Sequence, residues 1–162
     1  LISYPVDEWS VINHSANGFR LGRSCAGMRI SHGQLMALCP HDGDHFLLVQ
    51  ATWLMQEEDG GLIVGVATLP GMPAGIAVRV AALKAVRVAA LKAGNNERFV
   101  RAFLLPPVPA IKEEGSIVLP PGMYQASRIL DVSSGECSSW QLRMNHVLQR
   151  GTDYDRISYQ VI

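Results

Sequence analysis

Short apolar runs divided by turns of Gly, Asp and Asn recur along this chain, and that spacing constrains its fold more than any other feature. Runs at Trp9–Asn13, Gly18–Arg23, Gln34–Cys39, Phe46–Met55 and Leu62–Thr68 predict a meander spaced for a small barrel. Further on, Phe99–Leu105, Ser116–Leu119, Tyr124–Val132, Ser139–Leu148 and Arg156–Val161 predict a second β module. Pro106, Pro107, Pro109, Pro120 and Pro121 fall between these runs, where a missing backbone donor does least harm. The expected fold class is all-β. A small barrel is expected over residues 1–76, a connector over 77–97, and a second small barrel or sandwich-like module over 98–162. Gly33-Gln34-Leu35-Met36-Ala37-Leu38 and Gly115-Ser116-Ile117-Val118-Leu119 both set a glycine before an apolar strand, which convergent barrel patterning and duplication explain about equally well.

The connector carries an unusual feature. Ala77-Val78-Arg79-Val80-Ala81-Ala82-Leu83-Lys84 is repeated without change as Ala85-Val86-Arg87-Val88-Ala89-Ala90-Leu91-Lys92. Eight is even, so an insertion of this length preserves the two faces of a strand, whereas in a helix it rotates the face by roughly 80°. Yet Ala, Leu, Lys and Arg favour a helix, whose wet side the four cations could line. The first copy is expected to end the opening barrel's last strand, and the second to form a helix or a loose connector. Two copies of eight are too few to stack into a solenoid.

Lys plus Arg equals Asp plus Glu at 14 each, and no basic run occurs, which argues against a protein living on nucleic acid phosphates or anionic lipid. Small ligands or protein partners fit a neutral surface better. With 48% hydrophobic residues the chain can bury a core, but no apolar run approaches the roughly 20 residues of a membrane helix, so no membrane insertion is expected. The chain opens at Leu1 instead of Met, with no basic start and apolar signal segment, and so reads as a fragment or a processed product. Cys25, Cys39 and Cys137 are odd in number and widely spaced, fitting neither a disulfide framework nor a metal knuckle. They read as reduced, mostly buried thiols, and hence as cytoplasmic.

Candidate chemistry is sparse. His41-Asp42-Gly43-Asp44-His45 offers two imidazoles and two carboxylates to a divalent ion, but Asp-Gly between two strands is also the mark of an ordinary turn; no metal or cofactor is expected. His14 beside Ser15 does not make a nucleophile pair, because neighbours on an extended chain point apart and no Gly-x-Ser-x-Gly elbow is present. His32 and His146 are isolated in sequence. Trp9, Trp53, Tyr124 and Trp140 could form a base-stacking platform, although such residues more often fill cores, and Trp53 is read as core. No nucleophile, acid–base pair or cofactor loop is assembled, so the chain reads as non-catalytic.

One turn stands apart. Asn13-His14-Ser15-Ala16-Asn17-Gly18 joins two strand-like runs and suits a hairpin in which Asn and Ser bond nearby backbone and Gly18 adopts positive φ. The pattern Asn/Asp-x-Ser-x-x-Gly resembles the second ligand motif of the PilZ family, bacterial domains that bind cyclic di-GMP. The order that follows is similar too: a Gly-led strand at Gly33–Leu38, a long strand ending in Val49-Gln50-Ala51-Thr52-Trp53-Leu54, and a strand with a Gly-Val core at Leu62–Val66. The resemblance covers the chain to about Arg79. Beyond it, Leu104-Leu105-Pro106, Val118-Leu119-Pro120-Pro121 and Tyr124 look like C-terminal β regions that follow atypical PilZ-like domains.

The resemblance implies a cytoplasmic signalling module in which Asn13, Ser15 and Gly18 meet the guanine edge. In the family an upstream Arg-x-x-x-Arg segment grips phosphates and guanine faces, work suited to guanidinium groups. The twelve residues before Asn13 hold no Arg or Lys, so that half of the site is missing here. Arg20 and Arg23 are the local substitutes, unless they are simply solvated strand charges. Three residues apart, they face opposite sides of a regular strand and cannot both clamp one dinucleotide. The expected ligand set is therefore Asn13, Ser15, Gly18 and Arg20. The alternative is a degenerate PilZ-like domain that holds a protein partner by a sheet edge or the second module.

Overall fold

A computed structural model describes residues 6–41, 43–81, 98–135 and 138–162. It is all-β among those residues, apart from a 3-10 turn at Pro109–Ile111. Two compact units divide between Leu69 and Pro70, with the Gly151–Asp153 turn counted in the first.

The first unit is an antiparallel five-stranded sheet. Its strands are β1 (Ser10–Ser15), β2 (Gly18–Arg23), β3 (Leu35–Leu38), β4 (Leu47–Gln56) and β5 (Leu62–Thr68), in the order β1-β2-β5-β4-β3. Alternation gives the sheet one apolar face. Leu21, Val49, Ala51, Val64 and Val66 are buried there, with Trp9, Phe19, Ile30, Met36, Leu38 and Leu54 packed against them. Full burial of each such side chain stabilises by roughly 1.5–3 kcal/mol. Gly33 opens the run into β3 at φ 80°, a conformation that disfavours other residues, while its N–H donates to the Ala51 carbonyl at 2.7 Å.

Two bulges alter the alternation. In β1 the register shifts between Val11 and Asn13, and in β4 between Ala51 and Trp53. On an unbroken β4, Trp53 would share the buried face of Val49 and Ala51. The bulge turns it outward and puts Leu54 on the apolar face instead. Trp53 is 41% exposed and not a core residue.

The second unit is a closed antiparallel barrel. Its strands are β6 (Ala74–Val80), β7 (Val100–Leu105), β8 (Ser116–Leu119), β9 (Ile129–Ser133), β10 (Ser139–Arg150) and β11 (Asp155–Val161), ordered β10-β11-β8-β7-β6-β9. The interior is filled with side chains: Ile76, Val78, Ala102, Ile117, Leu119, Leu130, Val132, Leu142, Met144 and Ile157. Partial burial on this barrel raises the Tyr159 phenol above its ordinary pKa of 10.0.

Several expectations change. The start of the first repeat copy is strand, but β6 pairs with β7 and β9 in this barrel, so the boundary falls before Ala74 and not at residue 76. Ile76 and Val78 decide this, because both are needed to fill the barrel. The second copy lies outside the described residues. β9 begins at Ile129, not Tyr124, because Ser127 has positive φ and Arg128 closes a turn onto the Gln125 carbonyl. The two Gly-led segments are not equivalent either: β3 is an edge strand and β8 an inner one, and Gly33 has positive φ where Gly115 does not. Cys25 and Cys39 are exposed, since each sits in a loop beyond a strand end; Cys137 is outside the described residues.

Candidate functional site

Residues directly opposite one another in antiparallel strands point to the same face, so the register of the first sheet places each candidate. Asn13 lies opposite Arg20, Arg20 opposite Gly65, and Gly65 opposite Trp53. Two residues along, Ser15 lies opposite Gly18, and Gly18 opposite Ala67. All four expected ligand residues, Asn13, Ser15, Gly18 and Arg20, therefore share the sheet face opposite the apolar core. Trp53 joins them there.

Two glycines of this face, Gly22 and Gly65, each lie under a neighbouring side chain. A Cβ on Gly65 would run into Nε1, Cε2 and Cδ1 of Trp53, so the indole lies flat on that glycine. The Arg20 guanidinium carbon is 5.9 Å from the indole centroid, at the outer limit of a cation–π contact. No carboxylate among the described residues forms an ion pair with Arg20. Ile12 covers Gly22 from the β1 side, its Cδ1 3.0 Å from where a Cβ would stand. The result is a surface with an aromatic ring, a cation that has no ion-pair partner among the described residues, and short polar groups, chemistry suited to a planar anionic ligand.

Gly18 serves differently from the expectation of positive φ. Its φ is ordinary, and its need is for space, because a Cβ there would strike the Val66 carbonyl oxygen. Ser15 Oγ accepts a long hydrogen bond, 3.4 Å, from the Asn17 N–H and so closes the turn. The His14 ring points to the other side of the strand, 6.2 Å from that of Phe19.

Arg23 faces the opposite side from Arg20, as their spacing requires, but it is not a solvated charge. It donates to Asp7 Oδ2 at 2.8 Å, its guanidinium carbon lies 4.7 Å over the Trp9 ring, and its side chain is 9% exposed. Trp9 and Trp53 are thus on different faces of one sheet. Tyr124 and Trp140 pack on the barrel core, so the four aromatics form no common platform.

Around His41, Gly43 closes a turn onto the Pro40 carbonyl at 3.1 Å, and no three His, Cys, Asp or Glu side chains among the described residues gather to hold a metal ion. Asp42 is outside the described residues. His146, isolated in sequence, is partnered in the fold: its Nδ1 is 3.0 Å from Ser158 Oγ and its Nε2 3.3 Å from Glu114 Oε1. The set resembles a nucleophile triad on paper. Ser158, however, is fully buried, and its hydroxyl also bonds the His146 main-chain N–H and carbonyl at the bulge in β10, which makes it a brace. Sequence spacing could not have paired residues on three different strands or loops.

Residues 85–162 match the family model of the FimW C-terminal beta-barrel domain. The match covers just under half of the chain and falls on the second unit, whose closed barrel agrees with that description. No curated protein and no solved structure matches the chain. The candidate face lies outside the matched segment. The match supports a β-barrel in the second unit and bears on no residue of the first. No helix among the described residues is long and apolar enough to cross a membrane.

Proposed function

We propose that this chain is a non-catalytic signalling module whose first sheet binds cyclic di-GMP on the face opposite the apolar core, with Asn13 and Ser15 toward a guanine edge and Arg20 toward phosphate. The observation that supports it is the register, which sets Asn13, Ser15, Gly18 and Arg20 on one face. An arginine without a carboxylate partner on a neutral protein is the group an anionic dinucleotide would seek. Isothermal titration calorimetry with cyclic di-GMP tests this. Binding near micromolar Kd is expected, weakened about tenfold or more by Arg20→Ala, since a charged contact contributes about 1.5–3 kcal/mol. No heat of binding, or an affinity indifferent to Arg20→Ala, would overturn it.

A second reading, a protein-interaction module free of nucleotide, has an observation of its own. Every residue of β1 is exposed, Val11 and Ile12 among them, and β1 is an edge of the sheet among the described residues. An edge of this kind accepts an added strand. A charged substitution at Val11, which stands opposite Leu21 and so on the other side from Arg20, would weaken such pairing and leave Asn13, Ser15, Gly18 and Arg20 unaltered.

A further inference from the structure

Thr52 stands at the bulge of β4, and its hydroxyl donates to the Gly65 carbonyl at 3.0 Å, fastening the irregular segment to β5. The bulge is therefore built in, and its effect is to bring a tryptophan out of the core. An indole placed there forgoes the large burial gain of a core aromatic. Trp53 lies instead in a row that crosses four strands, made of Asn13, Arg20, Gly65 and Trp53 itself. One face of its ring rests on the backbone of Gly65, and the other is open.

The rows on either side differ in character. Toward one end of the strands lie Ser10, Gly22, Ile63 and Met55, and toward the other Ser15, Gly18, Ala67 and Gln50. The indole row is thus flanked by aliphatic side chains on one side and polar groups on the other. Arg20 carries the only charge in the three rows, and its guanidinium carbon is 5.9 Å from the indole centroid. Flat apolar faces, polar edges and a nearby negative charge suit these surroundings, and a nucleotide combines all three. Spacing decides how many bases are held. Neighbouring strands stand about 4.8 Å apart, so Gly65 beneath the indole and Asn13 are separated by roughly 10 Å, with Arg20 between them. One base cannot touch both ends, whereas two bases joined through phosphate can.

We infer that Trp53 is the stacking plate for one base of a dinucleotide laid along this row, with a phosphate at Arg20 and the edge of the second base at Asn13 and Ser15. The inference rests on the reading of this sheet as a cyclic di-GMP site and adds the residue that holds the other base.

Tryptophan emission and isothermal titration calorimetry on the full chain test this, with cyclic di-GMP, GMP and inorganic phosphate as probes. Cyclic di-GMP should quench the emission, GMP should do so with affinity about tenfold or more weaker, and phosphate should not quench. Trp53→Leu should lose the quenching and bind cyclic di-GMP about tenfold or more weaker, the loss of one stacked base. Trp53 belongs to neither apolar cluster, so this variant removes no core contact. Trp53→Phe keeps a ring and should bind within about threefold of the parent. Gly65→Ala displaces the indole without altering a polar side chain and should also weaken binding. Bound cyclic di-GMP that leaves the emission unquenched, that binds Trp53→Leu as well as the parent, or that Trp53→Phe loses as fully as Trp53→Leu would overturn this inference alone. Quenching by GMP that vanishes in Trp53→Leu, with no cyclic di-GMP bound, would uphold the stacking role of Trp53 and overturn the cyclic di-GMP reading. Binding of neither nucleotide would overturn both.

Discussion

A glycine within a strand is there for its backbone or for the space above it, and Gly18 and Gly65 are both of the second kind with opposite tolerances. The obstacle above Gly18 is the Val66 carbonyl oxygen, part of the β2–β5 ladder, which cannot move without loosening the pairing. The obstacle above Gly65 is the Trp53 indole, which can swing into solvent because its outer side is already wet. Gly18→Ala is therefore expected to destabilise by roughly 2 kcal/mol, in the range of strained backbone positions. Gly65→Ala should stay within about 1 kcal/mol, since the lower entropy of the unfolded chain offsets the lost stacking. Denaturation in urea measures both, and tryptophan emission should shift to the red in Gly65→Ala alone. Equal stability losses would show that the indole is held more firmly than its exposure suggests. The sequence announced Gly18 through its motif but assigned it the wrong reason, because a close approach from β5 is a tertiary fact that a hairpin motif does not contain.

At the scale of elements, alternation and turn residues located most strands closely: Gly18–Arg23, Leu62–Thr68 and Ser116–Leu119 stand where the apolar runs put them. Two expectations failed at a break in the period. The bulge after Ala51 reversed the face of Trp53, and positive φ at Ser127 postponed β9. Neither leaves a clear trace in composition. The affiliation of β6 was hidden for another reason, since its partners β7 and β9 come later in the chain and only register reveals them. One consequence concerns the repeat. Deleting either copy yields the same sequence, with Ile76 still before one Ala-Val-Arg-Val, so every pairing of β6 is retained. The connection between Val80 and Val100 loses eight residues, which lowers closure entropy by less than about 0.6 kcal/mol. The deletion should melt within a few degrees of the parent in circular dichroism. A large fall would mean that the second copy carries stability of its own.

At the scale of the whole molecule, the candidate face takes its surroundings from the unit that carries it. Two separate apolar clusters hold two units, and the candidate site belongs to the smaller cluster's sheet, on the face that the core does not use. A motif and the arginine beyond it named Asn13, Ser15, Gly18 and Arg20 in the sequence, and only the register puts them on one face with the indole beside them, because a parity count cannot see a bulge. Charge acts at the same scale. With 14 cationic and 14 anionic side chains the chain has a formal net charge of zero at pH 7, so nothing holds molecules apart in neutral buffer. Acidification makes the net charge positive. Solubility should therefore be lowest near pH 7 and rise toward pH 5.5, with a falling light-scattering signal at fixed protein concentration. Reductant must be present, because Cys25 and Cys39 are exposed and would otherwise cross-link molecules irrespective of charge. Self-association that ignores pH in reducing buffer would point instead to the exposed apolar residues Val11, Ile12, Trp53 and Met55 of the first sheet, whose burial between copies does not depend on net charge.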